Sequence, residues 1–285
     1  MHVDNVVGVN NFLQDRTILV TGGAGSLGSQ IVKELLHYNV HSIRVMDNSE
    51  YSMFKLKKQL DWCDKIRFFL GDIRDRDRCR MAMREADIII NCSALKNLEL
   101  TEFNAIETVE TNINGLIHLI RGAIYEEPEI FCHISTDKIC DANNLYAATK
   151  LVDEYLVKWV DQVVRPMIAY SVRPPNYWPS NGSVFEIWEE AKAKNEPIPL
   201  TDERMERYFM PLGEAAKFVI KSLTLAKGGE VFIPKAKNYK MIDIAKQYSD
   251  NIKIIGIRKG EKLKEELFTE QERKVLKDMG EYWVI

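Results

Sequence analysis

The amino-acid sequence predicts an α/β protein built on a doubly wound parallel sheet, followed by a smaller lobe. Three observations predict it. Short apolar runs alternate with longer amphipathic ones through the first 172 residues. The short runs are apolar on both faces, as strands covered by helices on each side must be. A glycine-spaced loop joins the first strand to the first helix of the series, the tight turn on which such sheets begin.

The strands are read as TILVT (17–21), SIRVMD (42–47), IRFFLG (66–71), DIIIN (87–91), IFCHIS (130–135) and MIAYSV (167–172). Helical periodicity fills the intervals at 26–38, 51–61, 76–84, 105–125 and 144–163. Strand–helix alternation of this kind gives right-handed crossovers and a parallel sheet. The stripe Leu116, Leu119 and Ile120 is ordinary helix core. After Arg173 the pattern changes. RPPNYWPSNGS is loop-like, and VFEIWEEAKAK, a second helix, EVFIP and a charged end follow. The expected division is 1–172 for the sheet domain and 173–285 for the lobe.

Length and composition narrow the function classes. The chain has 285 residues, 46% of them hydrophobic and 28% charged, with a net charge of -3. That is enough for a sizeable core, and it lacks the basic excess of a nucleic-acid or anionic-membrane partner. No apolar run spans a bilayer, and the first 15 residues have no signal-peptide pattern, so the expected location is cytoplasmic. The five cysteines and five histidines show no ligand spacing, so no metal is expected.

The loop TGGAGSLGS places Gly22, Gly25 and Gly28 in a G-x-x-G-x-x-G pattern, with Ser26 and Leu27 between the last two. Gly22 permits the turn, Gly25 lets backbone approach a pyrophosphate, and Gly28 lets helix and strand pack closely. The helix N-terminus adds free N–H groups and partial positive charge. Asp47 ends the second strand, 19 residues past Gly28, where a carboxylate takes ribose hydroxyls and repels a 2′-phosphate. NAD is therefore expected over NADP. Asp72 and Ile73 follow the third strand. Asp72 accepts from an adenine amino group or caps the next helix. Ala94, in the small-residue NCSAL end of the fourth strand, flanks the cofactor.

Tyr146 and Lys150 are four residues apart and share a helical face. An ammonium near a phenol lowers the phenol's pKa and makes it a base for a hydroxyl proton. With the glycine loop and Ser135-Thr136 at the end of the fifth strand, the chain resembles the extended short-chain dehydrogenase/reductases, which have a Rossmann-type fold. Asp137-Lys138 narrows the resemblance to the UDP-N-acetylglucosamine 4,6-dehydratases and the CapD-like polysaccharide biosynthesis proteins. SALKNLELTEFNAIETVETNINGL, STDK, NLYAATK, ERYFMPLGEA, GGEVFIPK and GIRKGEKLKEEL follow in that family's order. The tyrosine at 146 and the short length resemble the branch that also inverts C5.

The resemblance implies roles. Tyr146, with Lys150, deprotonates the sugar C4 hydroxyl while hydride leaves C4, and both residues also bind the dinucleotide. Lys138 removes the C5 proton as a neutral amine, its pKa lowered by burial and by Lys150. Asp137 protonates the departing C6 hydroxyl, and Thr136 bonds the C4 oxygen. Lys96 touches substrate or cofactor, or is a solvated lysine, and Asn112 is structural. For the lobe, the resemblance implies a UDP-sugar site using Arg173, Asn176, Arg207, Arg258 and Glu261; surface charge is the alternative for both Arg207 and Arg258. Here the chain departs from the family. Two prolines stand in 173–176, and Asn181 occupies a position where an arginine is usual. A phosphate contact is displaced or missing, and Trp178 offers an apolar wall. The competing readings are a nucleotide-sugar 4-epimerase, which has no use for Lys138, and a non-catalytic NAD-binding relative. The resemblance also implies a homodimer or higher homo-oligomer paired through the 105–125 and 144–163 helices.

Overall fold

The computed structural model describes residues 2–180, 182–258 and 260–285. Its first half runs α1 (His2–Leu13), β1 (Thr17–Thr21), α2 (Ser26–Leu35), β2 (Ser42–Asp47), α3 (Glu50–Gln59), β3 (Ile66–Leu70), α4 (Arg76–Met83) and β4 (Ile88–Asn91). Next come α5 (Leu98–Phe103), α6 (Ala105–Val109), α7 (Gly115–Glu126), β5 (Ile130–Ile134), α8 (Leu145–Val163) and β6 (Ile168–Val172). The strand order β3-β2-β1-β4-β5-β6 is parallel throughout and reverses direction between β1 and β4. This is the doubly wound sheet that the alternation predicts, and such sheets bind ligands beyond their carboxyl ends, at the reversal.

The period of two explains why each strand is apolar on both sides. Ile18, Val20, Ile88, Ile90, Ile130 and Cys132 face one core, closed by Ile31, Val32 and Leu35 of α2. Leu19, Ile89, Phe131 and Ala169 face the other, closed by α4, α7 and α8 through Met83, Leu119 and Val157. The helix α1 was not anticipated. It places Val9 and Leu13 on the first core, so apolar burial, not a capping signal, holds it.

The 105–125 helix is interrupted. Residues Glu110–Asn114 form a π-turn between α6 and α7. The extra residue in that turn points Asn112 inward. Its Oδ1 accepts from Leu95 N (2.8 Å), and its Nδ2 donates to Leu95 O and Thr149 Oγ1, each at 3.0 Å. Asn112 thus clips the segment after β4 to α8, the structural role expected of it.

Beyond Arg173 lie β7 (Asn176–Trp178), α9 (Val184–Ala193), β8 (Ile198–Leu200), β9 (Glu206–Pro211), α10 (Leu212–Leu223), β10 (Val231–Pro234), β11 (Lys237–Lys240), α11 (Met241–Tyr248), β12 (Ile252–Ile254), β13 (Lys277–Asp278) and β14 (Tyr282–Val284). The division at 172/173 is not a clean cut. Strand β10 pairs in parallel with β6, β14 and β13 extend that edge antiparallel, and α10 packs on α2. The lobe proper is the β11-β9-β7 and β12-β8 sheets around Trp188, Phe209 and Met241. Trp178 meets Phe209 and Tyr239 edge-to-face there.

Arg173 lies at the junction and is fully buried. Its guanidinium donates to Glu154 (3.0 and 2.8 Å), to Glu272 (3.0 and 2.7 Å) and to Leu267 O (3.2 Å). Every face of this cation is occupied by protein, and it does not line the cavity between the sheet edge and the lobe. The expected substrate contact at Arg173 is therefore corrected to a clamp between α8 and the C-terminal segment. A buried carboxylate, Glu154, and a partly buried one, Glu272, would be left unpaired without it, so Arg173→Met is expected to cost about 3–5 kcal/mol of unfolding free energy in urea titration. A loss under 1 kcal/mol would show that the clamp is dispensable.

Candidate functional site

The cofactor edge is built first, at the carboxyl ends of β1 to β4. Gly22 has φ +62°, and a Cβ there would sit 2.8 Å from the Cys92 carbonyl carbon. Gly28 packs against the Gly22 carbonyl so closely that a Cβ would overlap it. Ser49, Asp75, Asn97 and Asn144 cap α3, α4, α5 and α8 with their side chains. By contrast, Gly25 caps α2 with no side chain. A helix start that is left uncapped, behind a turn too narrow for any Cβ, suits a diphosphate. Ser26 opens α2, whereas the Leu27 side chain is core and offers only its backbone.

Asp47 Oδ2 accepts from Ala24 N in this loop (3.0 Å), and Oδ1 accepts from Ser49 N (2.9 Å). Each oxygen keeps a lone pair for a ribose hydroxyl. Asp72 is held by Arg74 (2.8 and 3.1 Å) and Asn48 (3.2 Å). The cap of α4 is Asp75, so the capping alternative for Asp72 is not what the structure contains. Ile73 is buried against Gly115, and Ala94 is half-buried after β4. The residues present fit a dinucleotide.

The reactive groups sit at the end of β5. Thr136 caps a short 3₁₀ turn, Asp137–Asp141, and donates to Asp137 Oδ1 at 3.2 Å. Lys138 Nζ lies 3.4 Å from Asp137 Oδ1, 3.1 Å from Glu265 Oε1 and 3.0 Å from Asn176 Oδ1. Asn176 Nδ2 donates to Glu265 Oε2 at 2.7 Å and to Tyr208 O at 3.2 Å. Asn176 thus aligns the charged cluster as well as facing the cleft. Glu265 was not singled out by sequence reasoning. It stands in the charged run GEKLKEE, which reads as surface, and only the fold brings it to Lys138.

Burial and the neighbouring Glu265 charge raise the Asp137 carboxyl to about 7. Burial also works against ionisation of Glu265, but the Lys138 and Arg207 charges outweigh it and hold Glu265 low. One carboxyl of the pair is thus the preferred holder of a proton. Lys138 departs from expectation. Burial pulls its pKa down, but the charges of Asp137 and Glu265 outweigh that and raise it above the ordinary lysine value. The resting Lys138 is a cation, not the neutral amine expected.

Tyr146 also departs. Burial pushes its phenol up, and the Lys138 charge and a Thr136 hydrogen bond offset this only in part. Lys150 turns instead to His133 Nε2 (2.7 Å) and Asp153 Oδ2 (3.1 Å), two further groups that sequence reasoning did not assign to the site. His133 was visible beside the Ser-Thr-Asp-Lys run, but it gave no ligand spacing to act on.

A cleft of about 940 Å³ opens over this cluster, between the sheet edge and the lobe. It is lined by Thr136, Asp137, Lys138, Tyr146, Lys96, Asn176, Arg207, Arg258 and Glu261, with Phe185, Met205 and Phe209 as its apolar wall. The Lys96 side chain is solvent-exposed, but the cleft wall and the Lys138 charge lower its pKa. Arg207 is not a loose surface charge. It donates to the carbonyls of Glu206 (2.8 Å), Leu263 (3.2 Å) and Lys262 (2.7 Å), and it lies 3.4 Å from Glu265. Arg258 is exposed on the rim, and its backbone N–H donates to Glu261 at 3.1 Å. Asn181 lies outside the described residues.

Known proteins share this fold and are similar to this chain in sequence. A crystal structure of Pen from Bacillus thuringiensis superposes with a TM-score of 0.93, at 31% identity over 96% of this chain and 89% of that one. An uncharacterized membrane protein of Methanocaldococcus jannaschii is 41% identical over 97% of this chain and 87% of its own. Among the described residues here, no helix is long and apolar enough to cross a membrane. The inverting UDP-N-acetylglucosamine 4,6-dehydratase of Campylobacter jejuni is 33% identical over 95% of this chain and 82% of its own. A family model described as polysaccharide biosynthesis protein matches residues 18–285, and with these identities over nearly the whole length the chain belongs to that family.

Proposed function

We propose that this protein is a nucleotide-sugar 4,6-dehydratase that removes water from UDP-N-acetylglucosamine and leaves a 4-keto-6-deoxy amino sugar. The observation that carries the reading is Lys138, held between Asp137 and Glu265 in a cleft it shares with Tyr146. A 4-epimerase needs the tyrosine and has no work for that lysine–carboxylate cluster.

Gly22, Gly25 and Gly28 seat the dinucleotide diphosphate, and Asp47 takes the adenosine ribose. A dinucleotide held there would supply the acceptor for the C4 hydride and the donor of hydride to C6. Tyr146 takes the C4 hydroxyl proton as the phenolate, its own proton having first left to solvent through the open cleft, while Thr136 holds that oxygen. The resulting ketone acidifies the C5 proton. Lys138 becomes a base when its own proton moves to Asp137 Oδ1, 3.4 Å away. That single shift creates both the amine that takes the C5 proton and the acid that expels the C6 hydroxyl as water, and as C6 receives the hydride a proton exchanged with solvent returns to C5. Arg258, exposed at the rim beside Glu261, meets the nucleotide diphosphate.

Incubation with UDP-N-acetylglucosamine in deuterated water is expected to give a product lighter by one water and deuterated at C5, with NAD+ supporting the reaction better than NADP+. Its ring couplings report whether C5 inverts. Lys138→Ala is expected to lower kcat by about 10²–10⁴-fold. An epimer at C4 with no mass change would refute the reading.

The pH dependence follows from the pair as a unit. When both groups are protonated, Lys138 has nowhere to send its proton. Activity is therefore expected to rise as pH rises through the Asp137 value near 7. Glu265→Gln removes the neighbouring negative charge, and the rise is expected to move to lower pH in a kcat–pH profile. An unmoved profile would show that Glu265 does not tune the pair.

A second copy of the chain is the proposed partner. Val152, Tyr155, Trp159 and Val163 form one outward face of α8, each between 41 and 69% exposed, and Phe103 and Ile106 stand out from the adjoining α5 and α6. Light scattering is expected to give at least a dimer mass, and Trp159→Glu a monomer. A monomeric wild type would rule the pairing out.

A further inference from the structure

Behind the proposed chemistry lies a buried group of three, of which only Lys150, the expected helper of Tyr146, was singled out by its spacing. Lys150, His133 and Asp153 are each 1–2% exposed. Neither His133 nor Asp153 lines the cleft. The two Lys150 contacts given above are joined by a third, with Asp153 Oδ2 3.4 Å from His133 Nε2.

A chain of hydrogen bonds decides which imidazole nitrogen carries the proton. Asn91 Oδ1 accepts from Ser93 N at 3.1 Å and from Thr21 Oγ1 at 2.7 Å. A backbone N–H can only donate, so the Asn91 amide must present its nitrogen to His133 Nδ1, 3.0 Å away. Nδ1 accepts, and the ring proton sits on Nε2. Burial, reinforced by the Lys150 charge, disfavours a second ring proton. Two donors, Nε2–H and the ammonium, thus stand 2.7 Å apart. Asp153 Oδ2 is within ion-pair distance of both, and neither Asp153 oxygen takes an aligned hydrogen bond from any described group, so this buried carboxylate has only these two groups to answer its charge.

We infer that Asp153 and His133 are positioning residues for Lys150. The carboxylate holds the buried ammonium in place, and the imidazole N–H closes the space behind it, so that its remaining protons face the side of α8 that carries Tyr146. Without the carboxylate, the ammonium would face an N–H with nothing between them, and it would move. The inference rests on the reading of Lys150 as part of a dinucleotide site.

The test compares wild type, Asp153→Asn, Lys150→Met and the double variant. In thermal unfolding, each single change is expected to lower Tm, and the double variant to recover most of the loss, because the penalty is an unpaired buried charge. In fluorescence titration with NAD+, Asp153→Asn is expected to weaken binding about tenfold, as Lys150→Met does, with no further loss in the double variant. In turnover of the sugar nucleotide, Asp153→Asn is expected to lower kcat by about 100-fold with KM little changed. Additive losses in Tm would overturn the pairing, as would failure of both Asp153→Asn and the double variant to fold. Wild-type NAD+ affinity in Asp153→Asn would overturn the positioning role. If the wild type binds NAD+ but leaves the sugar unchanged, the proposed reaction fails, and the binding and unfolding arms still decide the inference.

Discussion

A cation removed from water has to carry its counter-charge with it, and the centre of this protein is organised around three cations that do so. Arg173 is enclosed by Glu154 and Glu272, Lys138 by Asp137 and Glu265, and Lys150 by Asp153. Arg173 with Glu272 and Lys138 with Glu265 tie together segments far apart in the chain, whereas Lys150 and Asp153 lie three residues apart on α8. Arg173 fastens the end of β6 to α8 and to the C-terminal segment. Lys138 fastens the turn after β5 to the strap that carries Glu265. On α8, Asp153 faces both Lys150 and His133 of β5. The cleft exists because these ties hold the lobe over the carboxyl edge of the sheet.

The same enclosure makes the site reactive. Two buried carboxylates beside one ammonium cannot both be fully ionised without strain, and the proton preference falls on Asp137. A lysine caged in this way is a poor base at rest, yet it is one short proton shift from being a base with an acid beside it. A single isolated lysine, even one lowered in pKa by burial, would supply the base and leave the acid to be found elsewhere. The cluster keeps the two functions in one proton account.

Much of the architecture was legible because it depends on local periodicity. Strands β1 and β2 fall on their expected residues, and α8 differs from expectation by a residue at its start. The glycine loop was legible because no other residue fits where Gly22 and Gly28 pack. Other features were not. The π-turn at 110–114 obeys no pattern in its own residues; it forms because Asn112 finds Leu95 and Thr149 inside. Helix α1 has weak local signals and is held by the core. Arg173 read as a ligand contact because an arginine after a strand says nothing of the two glutamates that enclose it.

The sequence alone determined the sheet and the glycine loop, since alternation and turn chemistry are short-range properties that each segment carries itself; helical spacing pointed to Tyr146 and Lys150, and the resemblance to a family pointed to Thr136, Asp137 and Lys138. Only the tertiary structure decided what those groups are beside: Glu265 next to Lys138, and His133 and Asp153 next to Lys150. Protonation depends on charges and burial within a few ångströms of space. Those neighbours come from anywhere in the chain, so the electrical state of the site had to wait for the fold.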